Sequence, residues 1–334
     1  MDASVARSRT ITFFLAPNFS LIAFASAIEP LRLANRHLGY SYYNWRLISL
    51  DGQPTKASNG VEVTVDGDLD QEKRRVHGED RPDMVFVCSG LKVERFDSKP
   101  LHSWLRQLSR GTATVGALCT GAWILARAGL LNGKRCAIHW EHLPGFSEAF
   151  PEVDVYADLF EVDRNIYTCA GGTASLDMMF QIINEDHGET VVNRVCEQCL
   201  TDRVRNPHDR QRLPLRARLG IHDTKVLYII ELMEANISEP LSLVELANYA
   251  GLSRRQIERI FRRAMGRSPA RYYLELRLDR ARHLLLQSNL PVVEVAVACG
   301  FVSASHFSKC YREFYARSPL MERRERDILE GEMA

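Results

Sequence analysis

Cys119 stands where an apolar stretch, Thr112 to Leu118, runs into Thr120-Gly121-Ala122 and then a helical pattern. A thiol at a strand-to-helix turn has the outline of a nucleophile elbow. The turn would expose the sulfur, and the positive end of the helix dipole would favour the thiolate. His139, just before Trp140, is the histidine that could serve such a thiol as a base. Each residue also has a structural reading, Cys119 as a small buried side chain in a tight turn and His139 as a hydrogen-bonded core histidine. Cys196 and Cys199 form a CxxC, but no second ligand pair lies at zinc-like spacing. Two thiols sharing a helix face is the better reading, and neither metal nor cofactor is expected.

A different chemistry is written twice near the end of the chain. Leu243-Val244-Glu245-Leu246-Ala247 through Gly251, Ser253 to Phe261 and Ser268-Pro269 returns as Val292-Val293-Glu294-Val295-Ala296 through Gly300, Ser303 to Tyr311 and Ser318-Pro319. Each copy has the parts of a helix-turn-helix: a small residue where helices cross (Ala247, Ala296), a glycine for a left-handed turn (Gly251, Gly300), and a serine cap (Ser253, Ser303). Gln256, three residues after Ser253, completes a capping box. Ile257, Ile260 and Phe261, matched by Phe307, Cys310 and Tyr311, face inward at helical spacing. The free faces carry Arg254, Arg255, Glu258, Arg259 and Arg262 in the first copy, and Ala304, Ser305, Ser308, Lys309 and Arg312 in the second. Early residues of such a helix reach base edges and later basic ones reach phosphates. That puts Arg254, Arg255, Ser305 and His306 near bases and Arg262, Lys309 and Arg312 near phosphates. For any single residue a solvated helix face is the alternative, but turn, cap, core and basic face recur together.

The elements that must position these residues fall into two kinds. From residue 10 to about 200, strand-like runs (Thr10–Ala16, Trp45–Leu50, Met84–Cys88, Thr112–Leu118, Ile166–Ala170) alternate with helical patterns (Phe19–Arg36, Lys99–Arg110, Gly121–Ala128, Ser175–Glu185). Such alternation predicts an α/β domain, a parallel sheet with helices on both faces, over residues 8–202, with Pro30 bending its first helix. An Arg- and Pro-containing stretch, 203–221, reads as a basic linker, and 222–325 as an all-α domain with two helix-turn-helix units. The chain of 334 residues has a net charge of only +1, yet residues 241–320 hold thirteen Lys and Arg against six acids. The basic charge is thus gathered where DNA would be met. No run has the ~18 apolar residues of a membrane span, and the apolar run near the start is too short for a signal peptide, so no membrane partner and a cytoplasmic location are expected.

The second copy, Gly300-Phe301-Val302-Ser303-Ala304-Ser305-His306-Phe307-Ser308-Lys309-Cys310-Tyr311 with Ser318-Pro319, resembles the AraC/XylS family signature GFxxxSHFSxxFxxxxGxSP. The resemblance spans about the last 110 residues. It departs at Ala316, where the family has glycine and where a positive φ would cost on the order of 1 kcal/mol. It implies two recognition helices held by a connecting helix, about Ala270 to Gln287, entering double-stranded DNA at two adjacent major-groove half-sites about 34 Å apart.

Residues 10 to 195 resemble the PfpI-like branch of the glutamine amidotransferase superfamily, in the form fused to AraC-type domains. The resemblance rests on Ala117-Leu118-Cys119-Thr120-Gly121, Ile138-His139-Trp140, Ala170-Gly171-Gly172-Thr173-Ala174, and Phe19-Ser20-Leu21 through Glu29-Pro30-Leu31-Arg32. Thr120 stands where hydrolytic relatives carry histidine, and Ala23 and Phe24 occupy a helix where some place an acid. The resemblance therefore implies a sensor rather than an enzyme, its pocket floored by Ser89, Gly90, Cys119, Thr120, His139 and Trp140. Fused regulators of this kind sense small nitrogenous metabolites such as amino acids, glycine betaine or carnitine, and activate genes for their breakdown. Trp45, Trp123 and Trp140 are candidates for a cage around a cationic amine. A homodimer through the N-terminal domain and contact with RNA polymerase are further expected partners. The rivals are a cysteine-dependent amidase or hydratase tethered to DNA, and an architectural protein without a ligand.

Overall fold

The apolar side chains of β1 (Arg9–Leu15) divide between two sides of a sheet: Ile11, Phe13 and Leu15 join one core and Phe14 the other. Burial on both faces is what a near-continuous apolar strand demands. In the computed structural model, which describes residues 8–324, this strand lies within a seven-stranded sheet. The other strands are β2 (Tyr43–Ser49), β3 (Gly67–Asp68), β4 (Met84–Ser89), β5 (Thr114–Cys119), β6 (Phe160–Asp163) and β7 (Ile166–Cys169). Their order is β6-β7-β5-β4-β1-β2-β3, parallel throughout except for the antiparallel pair β6 and β7.

Helix α1 (Leu21–Leu38) keeps Pro30 inside one continuous helix, capped at its start by Ser20. After α2 (Leu69–Arg75) come α3 (Lys99–Arg110) and α4 (Ala122–Arg127), which fill one face with Trp104, Leu105, Trp123 and Ile124. Beyond α5 (Leu143–Ala149), helices α6 (Ala174–His187) and α7 (Glu189–Gln198) pack with α1 on the other face. Among the described residues no helix is long and apolar enough to cross a membrane.

The chain divides into two compact units, the first ending at Gln211 and the second starting at Arg212. That boundary falls inside the stretch expected as a linker, but much of the stretch is packed on one unit or the other. Residues 203–211 lie against the first unit: Arg205 makes a 2.6 Å ion pair with the buried Asp177, and Gln211 donates to the carbonyls of Ile138 and Asp158. Leu215, in α8 (Leu215–Leu219), is buried in the second unit's core. A charged, Pro-containing sequence looks like solvated chain, but here its polar groups find partners on the sheet and helices.

The second unit is helical: α9 (Thr224–Ala235), α10 (Leu243–Ala250), α11 (Arg254–Met265), α12 (Pro269–Gln287), α13 (Val292–Ala298) and α14 (Ala304–Tyr315). Helix α12 joins two cores. Tyr272 and Tyr273 pack with Ile257 and Phe261, while Leu278, Ala281 and Leu284 pack with Val295, Phe307 and Tyr311. Residue 325, the last of the expected DNA-binding domain, lies outside the described residues.

Candidate nucleic-acid interface and sensor site

Helix α11 begins at a complete capping box: Ser253 accepts from the Gln256 amide and the Gln256 side chain accepts from the Ser253 amide. Gly251, at φ 62°, makes the left-handed turn before it. With Ile257 and Phe261 fully buried, Arg254, Arg255, Glu258, Arg259 and Arg262 all fall on the exposed face, and none of them has a side-chain partner among the described residues. Their donors are free for phosphates and base edges.

Helix α14 repeats the geometry with fewer charges. Ser303 caps it by accepting from the His306 amide at 3.2 Å, and Gly300 makes the turn at φ 71°. Ser305, His306, Lys309 and Arg312 are exposed, and Ala304 is half-buried. His306 is not wholly free: its Nε2 lies 3.4 Å from Cys310 Sγ, and its ring lies 5.9 Å from that of Phe301. Ala316 ends the helix in the left-handed region at φ 58°, the strain expected where the related signature has glycine.

What aligns the two helix-turn-helix units is a pair of residues one turn apart on α12. Tyr273 donates its hydroxyl to the Asn236 carbonyl and accepts from the Leu241 amide, gripping the loop before α10. Arg277 donates to the carbonyls of Cys299 (2.8 Å) and Gly300 (2.6 Å), and its guanidinium stacks 4.1 Å from the Phe301 ring centre. The glycine turn of the second helix-turn-helix also closes on the loop that leads into the first: a Cβ at Gly300 would lie 2.6 Å from the Ile237 carbonyl and from Pro240. Sequence reasoning missed Arg277, because nothing local marks an arginine whose acceptors are 22 and 23 residues away.

At the cysteine turn the sulfur chemistry differs from expectation. Cys119 takes the strained φ of 59° that an elbow requires. Its thiol, however, is buried, with Gly171 packed so closely that a Cβ there would meet Cys119 Cβ at 2.6 Å. Burial raises the thiol to about 12, outweighing hydrogen bonds from the Thr120 backbone and the Ser20 hydroxyl, which act in the opposite direction. The expected exposed, low-pKa sulfur is thus overturned, since desolvation exceeds what a six-residue helix supplies. Ser20 is a contact that sequence reasoning did not assign.

The structure gathers Ser89, Gly90, Cys119 and Thr120 around this turn. Ser89 pairs with Cys119 across β4 and β5, and Thr120 donates to the Gly90 carbonyl at 2.7 Å. The Ser89 hydroxyl is buried without a hydrogen-bond partner among the described residues. His139 and Trp140 are half-buried neighbours of one another. No hydrogen bond joins His139 to Cys119 among the described residues. His139 Nδ1 lies 3.9 Å from the Glu141 carboxylate, and burial holds its pKa below the usual histidine value against that attraction. The tryptophan cage does not form: Trp45 packs on the core of one sheet face, and Trp123 is buried on the other against Phe146 and Phe150.

A cleft of about 840 Å³ opens elsewhere in the first unit, between α1, the first turn of α6 and the end of α7. Glu29, Arg32 and Arg36 line one wall, Thr201 to Arg203 and Arg205 another, and Cys199 of the CxxC reaches it. The polar stripe Glu29, Arg32, Arg36 at helical spacing along α1 is the sequence signal that would have found it. Asp158, Glu161 and His208 bring three metal-capable atoms within 4.8 Å, but Arg135 already holds both oxygens of Glu161.

A doubly covered, mostly parallel sheet ahead of paired, capped, basic helix-turn-helix units defines a two-part DNA-binding regulator. Comparison with known proteins agrees. Residues 9–185 match the DJ-1/PfpI family and residues 246–325 a helix-turn-helix domain. The chain is 45% identical over 315 residues to the HTH-type transcriptional regulator GbdR of Pseudomonas aeruginosa, covering 94% of this chain and 84% of that protein. It is 42% identical over 316 residues to CdhR of the same species, covering 95% of this chain and 92% of that regulator. A crystal structure of an AraC family transcriptional regulator from Pseudomonas putida matches 58% of this chain and all of its own, at 26% identity and a TM-score of 0.51. The chain therefore belongs to the AraC-type HTH transcriptional regulators that carry an N-terminal DJ-1/PfpI domain.

Proposed function

We propose that this regulator sits on double-stranded operator DNA with α11 and α14 in two adjacent major-groove half-sites, and activates catabolic genes when its α/β unit binds a small nitrogenous metabolite. It works in the cytoplasm, dimerises through the α/β unit and contacts RNA polymerase at the promoter. The observation that carries the reading is the unpaired arginine face of α11, set behind a complete capping box and repeated in register by α14.

Arg254 and Arg255 lie in the first turn, where base edges are read; Arg262, Lys309 and Arg312 lie later, where phosphates are met. The test is selection of binding duplexes from a random library by the full chain, followed by titration of the selected duplex. Arg255→Ala is expected to cost ~1–3 kcal/mol and to relax preference at one base position. Full affinity with unchanged preference in both Arg254→Ala and Arg255→Ala would reject the assignment of these faces.

The tethered-enzyme reading needs a reactive thiol. A buried Cys119 with a raised pKa and no hydrogen bond to His139 favours the regulator instead. Loss of gene regulation in Cys119→Ala would restore the rival.

A further inference from the structure

We propose that the cleft between α1, the start of α6 and the end of α7 is the effector site, and that it takes a small zwitterion with a primary ammonium and a carboxylate, an amino acid rather than a quaternary amine. This rests on the sensor function proposed above. The volume, about 840 Å³, falls in the ~300–1,000 Å³ range of small-molecule sites.

Its charges sort into the satisfied and the free. Arg32 pairs with Glu29 at 2.6 Å, and Arg205 pairs with Asp177 at 2.6 Å. Among the described residues Arg36 and Asp202 line the same cleft with no side-chain partner, while Arg203 makes a long ion pair with Asp209 at 3.7 Å. A ligand bearing one charge of each sign completes both. Among the described residues the cleft has no aromatic lining, while Thr201, Gln198 and Asp202 offer acceptors. A trimethylammonium has no N–H to donate and is held by aromatic faces; a primary ammonium needs acceptors. The lining therefore selects the unmethylated amine.

The wall from Thr201 to Arg205 continues into the strap that ends at Gln211, where the first unit gives way to the second. Arg205 ties this strap to Asp177 and Thr173. A ligand ammonium held by Asp202 acts on the segment that leads to the DNA-binding unit, which is how differential binding becomes a switch.

The test is isothermal titration calorimetry of the full chain with L-arginine, L-glutamate, L-alanine and glycine betaine. At least one of the three amino acids is expected to bind. Arg36→Ala and Asp202→Asn, both at exposed positions, are expected to weaken it at least tenfold, with Ser89→Ala and His139→Ala within twofold of the parent chain. Betaine is expected to give no saturable heat. Binding lost in the Ser89 or His139 variants but kept in the cleft variants would move the site to the cysteine turn. Tight betaine binding, no amino-acid binding, or a dimer that Arg36→Ala dissociates without any ligand effect would each overturn the proposal. A reporter gene separates these failures: one that still answers to a metabolite leaves the sensor function standing, and one indifferent to all of them sinks both.

Discussion

Replacing Arg277 with alanine removes two hydrogen bonds from a half-buried guanidinium, to the carbonyls of Cys299 and Gly300, and its stacking on Phe301. Hydrogen bonds to charged groups contribute ~1.5–3 kcal/mol each, and a partly desolvated cation–π contact ~0.5–2 kcal/mol. These are not additive, because the carbonyls regain some solvent when the side chain is cut back, so a loss of about 3–5 kcal/mol is expected. With a urea slope of ~2 kcal/mol/M, the midpoint of the second unit falls by about 2 M.

The protein supplies its own control. Its four tryptophans, Trp45, Trp104, Trp123 and Trp140, all precede Gln211. Tryptophan fluorescence therefore follows the α/β unit, while circular dichroism of the helices follows both. Arg277→Ala is expected to shift the helical transition and leave the fluorescence transition in place, with binding to a two-half-site duplex lost before binding to either half. A helical transition unmoved by the substitution would refute the reasoning that this arginine joins the two helix-turn-helix units, as would equal shifts by both probes.

Ala316→Gly relieves a left-handed alanine at φ 58° and is expected to raise stability by about 1 kcal/mol, read as an upward shift of the helical melting transition. Arg262→Ala and Arg312→Ala are each expected to lower the slope of log affinity against log salt by about 1, with base preference unchanged, in titrations at several salt concentrations. For Cys119 the folded thiol stands at about 12 against 9.0 for an ordinary cysteine. A raised folded pKa gives a contribution fully present below pH 9 and lost as pH rises toward 12. Denaturant midpoints should fall across that window less in Cys119→Ala than in the parent chain. Iodoacetamide at pH 8 should label Cys119 far more slowly in the native chain than in urea, as followed by peptide mass spectrometry.

What the sequence alone determined was local. Strands buried on two faces need continuous apolar runs, so β1, β4, β5 and β7 were legible from composition and length; β2, with Asn44 and Arg46 exposed or half-buried, showed only over its second half. Short edge pieces such as β3 and β6, with two and four residues, carry too few side chains to stand out. The helix-turn-helix units were legible because their determinants lie within a few residues of each other: Gly251 and Gly300 for the turn, Ser253 and Ser303 for the cap, Ile257 and Phe307 for the buried face. Tertiary structure decided what depends on distance. The helix dipole and burial pull the Cys119 thiol in opposite directions, and only packing against Gly171 shows that burial wins. Trp45 and Trp123 looked like partners until the sheet came between them. Arg36 and Asp202 belong to one cleft only because α1 and α7 pack side by side. Charge and periodicity report what a residue can do, but its neighbours from distant parts of the chain decide what it does.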